Sequence, residues 1–169
     1  SPGISHVLGF VKYPSKDKSG IYYDEKFTPK GGVEEYYNNE LLGENGIKIT
    51  ETDALGNVQS ESVLTPPEDG KNLILAIDSR VQSKLFDFIR STAIDREFSG
   101  GAGVIMDVHN GEILALTSYP EFDSNVMSEG SSTAAIQSIL QNKNNPFLNR
   151  AVSGLYIPGS IIKPFIAIG

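Results

Sequence analysis

The stretch Gly154-Leu155-Tyr156-Ile157-Pro158-Gly159-Ser160-Ile161-Ile162-Lys163-Pro164-Phe165 sets a serine three residues before a lysine, after a Pro-Gly turn and at the head of an apolar run. In a helix, positions i and i+3 share a face, so the Lys163 amine can reach the Ser160 hydroxyl. A serine hydroxyl is a weak nucleophile until a base takes its proton. A lysine serves as that base only when desolvation or a nearby cation lowers its pKa. Ile161, Ile162, Phe165 and Ile166 are the residues expected to supply the desolvation. Spacing alone is not specific, because Ser15-Lys16-Asp17-Lys18 has it too. That copy sits among charges with no apolar run behind it and reads as solvated loop.

Pro164 disfavours the α conformation at Lys163 and carries no amide donor. Taken by itself, this ends the helix at Lys163.

The elements that must hold this stretch follow from pattern. Val7–Val11 reads as a strand, Pro14–Gly20 as a charged loop, and Val33, Tyr36, Tyr37 and Leu41 as a helix closed by Gly43 in a left-handed cap. Ile47–Thr52 and Val58–Val63 alternate as a half-buried hairpin about Asp53–Asn57. Thr65-Pro66-Pro67-Glu68-Asp69-Gly70 is the expected boundary between two domains, 1–70 and 71–169. Beyond it, Asn72–Ile77 reads as a strand. A helix then starts at Asp78-Ser79-Arg80, with Ser79 and Gln82 in capping-box spacing and Val81, Leu85, Phe88 and Ile89 as its buried stripe. Val104–Val108 and Glu112–Thr117 flank Asn110-Gly111 as a hairpin. Tyr119–Asp123 reads as loop, Ser131–Gln141 as a helix, and Asn142–Asn145 as loop. The class is α+β.

Composition narrows the chemistry. The 169 residues carry a formal charge of −7, with six Lys/Arg against twelve Asp/Glu in residues 1–70. An acidic front section argues against a nucleic-acid partner. With no cysteine and only His6 and His109, neither a Cys/His metal site nor a Ser-His-Asp triad is signalled, and no cofactor is implied. No stretch has the roughly 18 apolar residues of a membrane span.

Three strings, in this order, resemble the class B penicillin-binding proteins. They are Gly32-Val33-Glu34 with Tyr36-Tyr37, Leu41-Leu42-Gly43 and Gly46; Gly101–Val108 through Gly111–Leu116 to Tyr119-Pro120; and Asn149-Arg150-Ala151-Val152 with the Tyr-x-Pro-Gly-Ser-x-x-Lys-Pro-Phe string. The resemblance implies a non-catalytic, dimerisation-type pedestal at 1–70 and the opening portion of a transpeptidase domain at 71–169. It also implies a membrane anchor outside this chain and a catalytic domain on the extracytoplasmic side of a bacterial membrane. For the serine–lysine stretch it implies that Ser160 stands at the helix N-terminus, with Pro164 in or just after the first turn instead of beyond the helix end. The positive end of the helix dipole would then lie beside the serine.

The activity so implied is peptidoglycan D,D-transpeptidation. Ser160 would attack a stem peptide ending in D-Ala-D-Ala, with Lys163 as base, and β-lactam antibiotics would acylate the same serine. A membrane-embedded glycosyltransferase is the implied partner. The family also uses a later Ser-x-Asn and a later Lys-Ser/Thr-Gly, and neither follows Ser160 before Gly169. The expectation is therefore a piece of a longer enzyme, inactive alone. Two alternatives are an interaction module docking a membrane wall-synthesis partner, and a β-lactam sensor or serine β-lactamase. The latter shares the tetrad but is not expected to carry the Gly32–Gly46 string.

Overall fold

The computed structural model describes residues 2–16, 22–24, 26–130 and 132–168. The chain mixes helix and strand and divides into two compact units. One is Val7–Leu75 with Ser124–Ser132; the other is Ser1–His6 with Ala76–Asp123 and Thr133–Gly169.

In the first unit the strand expected at Val7–Val11 is only half present. Helix α1 (Ser5–Leu8) takes its first two residues, Gly9 turns the chain at φ 81°, and β1 (Phe10–Lys12) follows. β2 (Ser15–Lys16) pairs with β3 (Tyr22–Asp24), and β1 pairs antiparallel with β4 (Thr28–Lys30), Phe10 opposite Lys30. The charged loop predicted over Pro14–Gly20 thus begins as strand, and residues 17–21 lie outside the described residues.

The single helix expected over residues 33–42 is two short ones, α2 (Gly32–Tyr36) and α3 (Asn38–Leu41), broken at Tyr37 (φ −104°, ψ 24°). Gly43 does not cap it in the left-handed region. Leu42 leaves the helix extended, and Gly43 is small because a Cβ there would collide with the Glu68 carbonyl. That closeness lets Glu44 and Glu68 exchange backbone hydrogen bonds of 2.8 and 3.0 Å, while Lys71 N–H donates to the Glu40 carbonyl at 2.7 Å.

The hairpin forms as expected, β5 (Ile47–Thr52) against β6 (Val58–Thr65). The Asp53 carboxylate builds its turn, accepting from the Leu55 and Asn57 amides and from the Asn57 and Gln59 side chains. Those bonds, led by the Asn57 side chain, hold the Asp53 pKa below the usual carboxylate value. The half-buried face is not there, however. Every residue of both strands is exposed, so the alternation of Ile47 and Ile49 with Lys48 and Thr50 marks the pleat without marking a core within these residues.

A helix from much later in the chain, Ser124–Glu129, completes this unit against β1. Ser124 Oγ donates to the Gly9 carbonyl at 2.9 Å and Val11 N–H to Ser128 Oγ at 3.3 Å.

The strand expected at Asn72–Ile77 is irregular chain; the second unit resumes at Ala76, and Asp78 N–H donates to the Leu114 carbonyl at 2.9 Å. Helix α4 (Ser79–Asp95) follows. Its cap is Asp78, one residue before the expected Ser79: the Asp78 carboxylate accepts from the Arg80 and Val81 amides at 2.8 and 3.2 Å. These bonds, with the one from Val81 foremost, lower its pKa.

The expected capping partner Gln82 points inward and is completely buried. Its amide nitrogen donates to the carbonyls of Gly3 and of Leu116 (2.6 Å to the latter), and its amide oxygen accepts the Leu116 N–H at 2.8 Å. The buried stripe is shifted accordingly. Phe86 is 6% exposed and Ala93 is buried, whereas Phe88, expected inside, is 69% exposed.

The sheet is β7 (Gly101–Met106) antiparallel to β8 (Ile113–Tyr119), closed at Asp107–Glu112 about Asn110-Gly111. Ala115, Thr117 and Ser118 are buried on β8, the strand on which α4 packs. The helix at Ser124–Glu129 is α5, just past the loop expected at Tyr119–Asp123, and α6 (Thr133–Leu140) occupies the predicted Ser131–Gln141 span.

The first residues of the chain belong to this second unit. Gly3 and Ser5 amides donate to the Glu121 carboxylate at 2.7 and 3.3 Å. His6 Nε2 lies 2.8 Å from the Pro146 carbonyl, and its ring sits edge-on to Phe122, which stacks on Phe147.

Two measurements check this packing. Gln82→Met should orphan three buried backbone groups at about 1–3 kcal/mol each. Urea unfolding should therefore show a far larger loss than for the exposed Phe88→Ala; equal losses would mean that the amide pairing contributes nothing net. Burial lowers the His6 pKa, against smaller upward pulls from the Pro146 carbonyl and Glu121. Below the ordinary imidazole value of about 6.5 the unfolded chain binds more protons than the folded one, so stability should fall as pH drops from 7 through that value. His6→Gln should flatten this slope in melting curves taken from pH 7.5 to 5.

Candidate active site

Past α6 the chain turns through polar residues and meets the sheet at Arg150, which is 8% exposed. The Arg150 N–H donates to Ser118 Oγ at 3.0 Å, and Ser118 Oγ donates to the Leu148 carbonyl at 3.0 Å. The Arg150 guanidinium donates to the carbonyls of Asn144, Asn145 (3.2 Å) and Leu148 (3.4 Å). A turn closes behind it, with the Val152 and Ser153 amides donating to the Asn149 carbonyl and the Ala151 amide to the Asn149 side chain. Ala102, Gly103 and Val104 of β7 and Arg150, Ala151 and Tyr156 line a recess of about 360 Å³.

Ser160 and Lys163 then stand on one helical path. A 3₁₀ turn spans Gly159–Ile162, and helix α7 (Lys163–Ile168) continues it. Gly159 starts the turn at φ 57°, in the left-handed region that glycine favours. The Lys163 N–H donates to the Ser160 carbonyl, and Lys163 itself is α-helical (φ −57°, ψ −38°). Pro164 therefore falls in the first turn of α7, where its missing donor costs least. In a 3₁₀ turn, positions i and i+3 eclipse, so the backbone places Ser160 and Lys163 on one side of the turn.

The expected desolvation is not supplied by these neighbours. Ser160 and Lys163 are both exposed, and Ile161, Ile162, Phe165 and Ile166 face outward with them. The other tetrad has a different setting: Ser15 lies in strand β2 and not on a helix, and Lys18 falls outside the described residues. Lys18-Ser19-Gly20 is itself a Lys-Ser-Gly, far upstream of Ser160 and also outside the described residues. Among the described residues no three His, Cys, Asp or Glu side chains converge as metal ligands would, and no helix is long and apolar enough to cross a membrane.

Sequence reasoning did not single out Arg150 or the buried role of Gln82. The buried, multiply bonded guanidinium leaves no trace in spacing, and Gln82 offered a competing surface role as a capping residue.

The family model of the penicillin-binding protein dimerisation domain matches residues 2–75, and that of the penicillin-binding protein transpeptidase domain matches residues 101–169. The peptidoglycan D,D-transpeptidase MrdA of Salmonella typhimurium strain SL1344 is 33% identical over 98% of this chain and 27% of its own length. Penicillin-binding protein 3 of Bacillus subtilis is 33% identical over 96% of this chain and 23% of its own. Among solved structures, a penicillin-binding protein (PBP2) from Helicobacter pylori superposes with a TM-score of 0.69 at 32% identity, covering 98% of this chain and 31% of that one. A complex of PBP2 and MreC from the same organism matches with a TM-score of 0.65 at 34% identity, over 97% of this chain and 30% of that one. The chain thus spans about a quarter of the length of the curated relatives it matches. With both family domains present in order and the mixed fold that these solved structures share, the chain belongs to the class B penicillin-binding proteins.

Proposed function

We propose that this chain is part of a peptidoglycan D,D-transpeptidase, with Ser160 as nucleophile and Lys163 as its general base. The observation that carries the reading is the unbroken helical path from Gly159 to Ile168, which puts the two side chains on one face at the start of a helix. The names of the relatives support the reaction class. Residues 1–70 would serve as the non-catalytic pedestal and 71–169 as the start of the catalytic domain.

In this mechanism Lys163 Nζ takes the proton of Ser160 Oγ as that oxygen attacks the carbonyl carbon between the two terminal D-alanines of a stem peptide. Collapse of the tetrahedral adduct breaks the C–N bond, and the terminal D-alanine leaves carrying the proton. The amine of a neighbouring stem peptide then attacks the serine ester, forms the cross-link and returns a proton to Ser160. A β-lactam presents the same acyl carbon in a ring, so its leaving amine stays tethered to the acyl group. Lys163 works as a base only in its neutral form, so a wall that excludes water from its amine is required. In this reading, residues of the same protein beyond those described here provide that wall.

The interaction-module reading is compatible with this one at the pedestal. The H. pylori homologue is described in complex with MreC, and in this reading residues 2–75 of this chain would offer a surface to a membrane wall-synthesis partner. The sensor or β-lactamase reading has less support, because the dimerisation-domain match lies in the segment that such proteins are not expected to carry.

Exposure of the full-length protein to a labelled penicillin, followed by peptide mass spectrometry, should place the adduct on Ser160. An adduct elsewhere, or one that survives Ser160→Ala, would remove the assignment. Lys163→Arg should abolish labelling with the fold intact, since a guanidinium stays protonated at any working pH; labelling at near-normal rate would leave Lys163 without the role of base.

Residues 1–169 alone should not react with a fluorescent penicillin, because the chain from Leu155 to Ile168 is exposed throughout. Losing a single oxyanion donor already costs on the order of 10²–10³ in rate. Stoichiometric labelling of this segment would show that its site is complete.

A further inference from the structure

Arg150 is the last buried residue before the serine–lysine turn. From Ala151 to Ile168 every residue is intermediate or exposed, so nothing downstream of Arg150 is buried against the sheet among the described residues. Its guanidinium is spent on backbone: it gathers the carbonyls of Asn144, Asn145 and Leu148, three acceptors that would otherwise turn toward a site with little water. Its own amide is bound to Ser118 on β8. The strand side makes room for it at Gly100, where a Cβ would lie 2.6 Å from Arg150 Nε. On the other side its carbonyl approaches Gly154, over which the Tyr156 ring folds closely enough to exclude any side chain. Sheet, preceding loop and following turn therefore meet at one cation. Its planar fork fits several carbonyls at once, as an ammonium could not.

We propose that Arg150 is the positioning residue for the nucleophile: its guanidinium gathers the carbonyls of Asn144, Asn145 and Leu148 and packs against Gly100 at the edge of β7, while its amide is held by Ser118 of β8, and together these fix where the turn bearing Ser160 leaves the sheet. This rests on the assignment of Ser160 and Lys163 above. Arg150 does not touch the reacting atoms, and its effect is on the fraction of time that Ser160 and Lys163 hold an attacking geometry. A misplacement of about 1 Å from a change remote from the chemistry can cost on the order of 10²-fold in rate.

The test uses the full-length protein and a fluorescent penicillin, with stopped-flow separation of pre-covalent affinity from the acylation rate constant. Arg150→Lys and Arg150→Ala are compared with Phe86→Leu, a core change in α4 that lowers the melting temperature without touching the clamp. The acylation constant should fall by about 10²-fold in the Arg150 variants with pre-covalent affinity nearly kept, and added guanidinium ion should restore part of it in Arg150→Ala, whereas ammonium should not. Acylation at the wild-type rate in either folded Arg150 variant would overturn the proposal. So would a loss matching that of Phe86→Leu at equal melting temperature, with no guanidinium recovery. These outcomes leave Ser160 in its role as long as wild type is labelled there. A wild-type adduct on another residue would instead remove the catalytic reading, and the positioning role with it.

Discussion

The second unit depends on a hydrogen-bonding pattern that is normally a strand's business. The Gln82 side chain offers Leu116 a donor and an acceptor at once, as a neighbouring strand would, and its nitrogen also reaches the Gly3 carbonyl. A fully buried amide without partners is costly, and a paired one costs little; the site is stable because all of its main capacity is used. Through this one side chain, α4 is fixed in register along β8, and the beginning of the chain is fixed to both. Apolar packing of Phe86, Ala93 and Ala115 would hold the layers together but would tolerate sliding.

Much of this was legible from sequence. The β7–β8 hairpin follows from alternation and Asn110-Gly111, and α4 from its stripe and start signal. The chemistry of Pro164 alone favoured a helix ending at Lys163, whereas α7 runs through it with Pro164 in the first turn, as the family resemblance implied. What pattern could not reach was mostly tertiary. Phe88 looked like a core residue by spacing, yet Gln82 took the inward direction, because its partners on Leu116 and Gly3 lie 34 and 79 residues away. Asn72–Ile77 is apolar enough for a strand, but strand is a property of a pair, and the backbone bond to Leu114 comes from Asp78, just past this stretch. The break at Tyr37 divides a segment whose periodicity alone favoured one helix.

The serine–lysine pair shows how geometry and environment separate. Local sequence is sufficient for the geometry: a left-handed glycine, a 3₁₀ turn and a lysine already in α conformation align the two side chains. It is insufficient for the environment, because the isoleucines and phenylalanine around the pair point outward. The tetrad's own apolar neighbours thus leave it exposed. The exposed β5–β6 hairpin has the same character on the other unit: its backbone is self-sufficient, while its side chains have no core of their own.

The attachment of Gly3, Ser5 and His6 to Glu121, Gln82 and Pro146 has a consequence for the order in which the protein can be made. Gly3 and Glu121 are 118 residues apart. In synthesis Gly3 and Ser5 precede their partners Gln82 and Glu121 by the whole of Val7–Leu75, so their bonds form only after that stretch has been made. Closure of so long a loop is entropically expensive and slow compared with the local hairpins inside it. Gly3, Ser5 and His6 are thus made well before the residues that hold them and are among the last of the second unit to find their place.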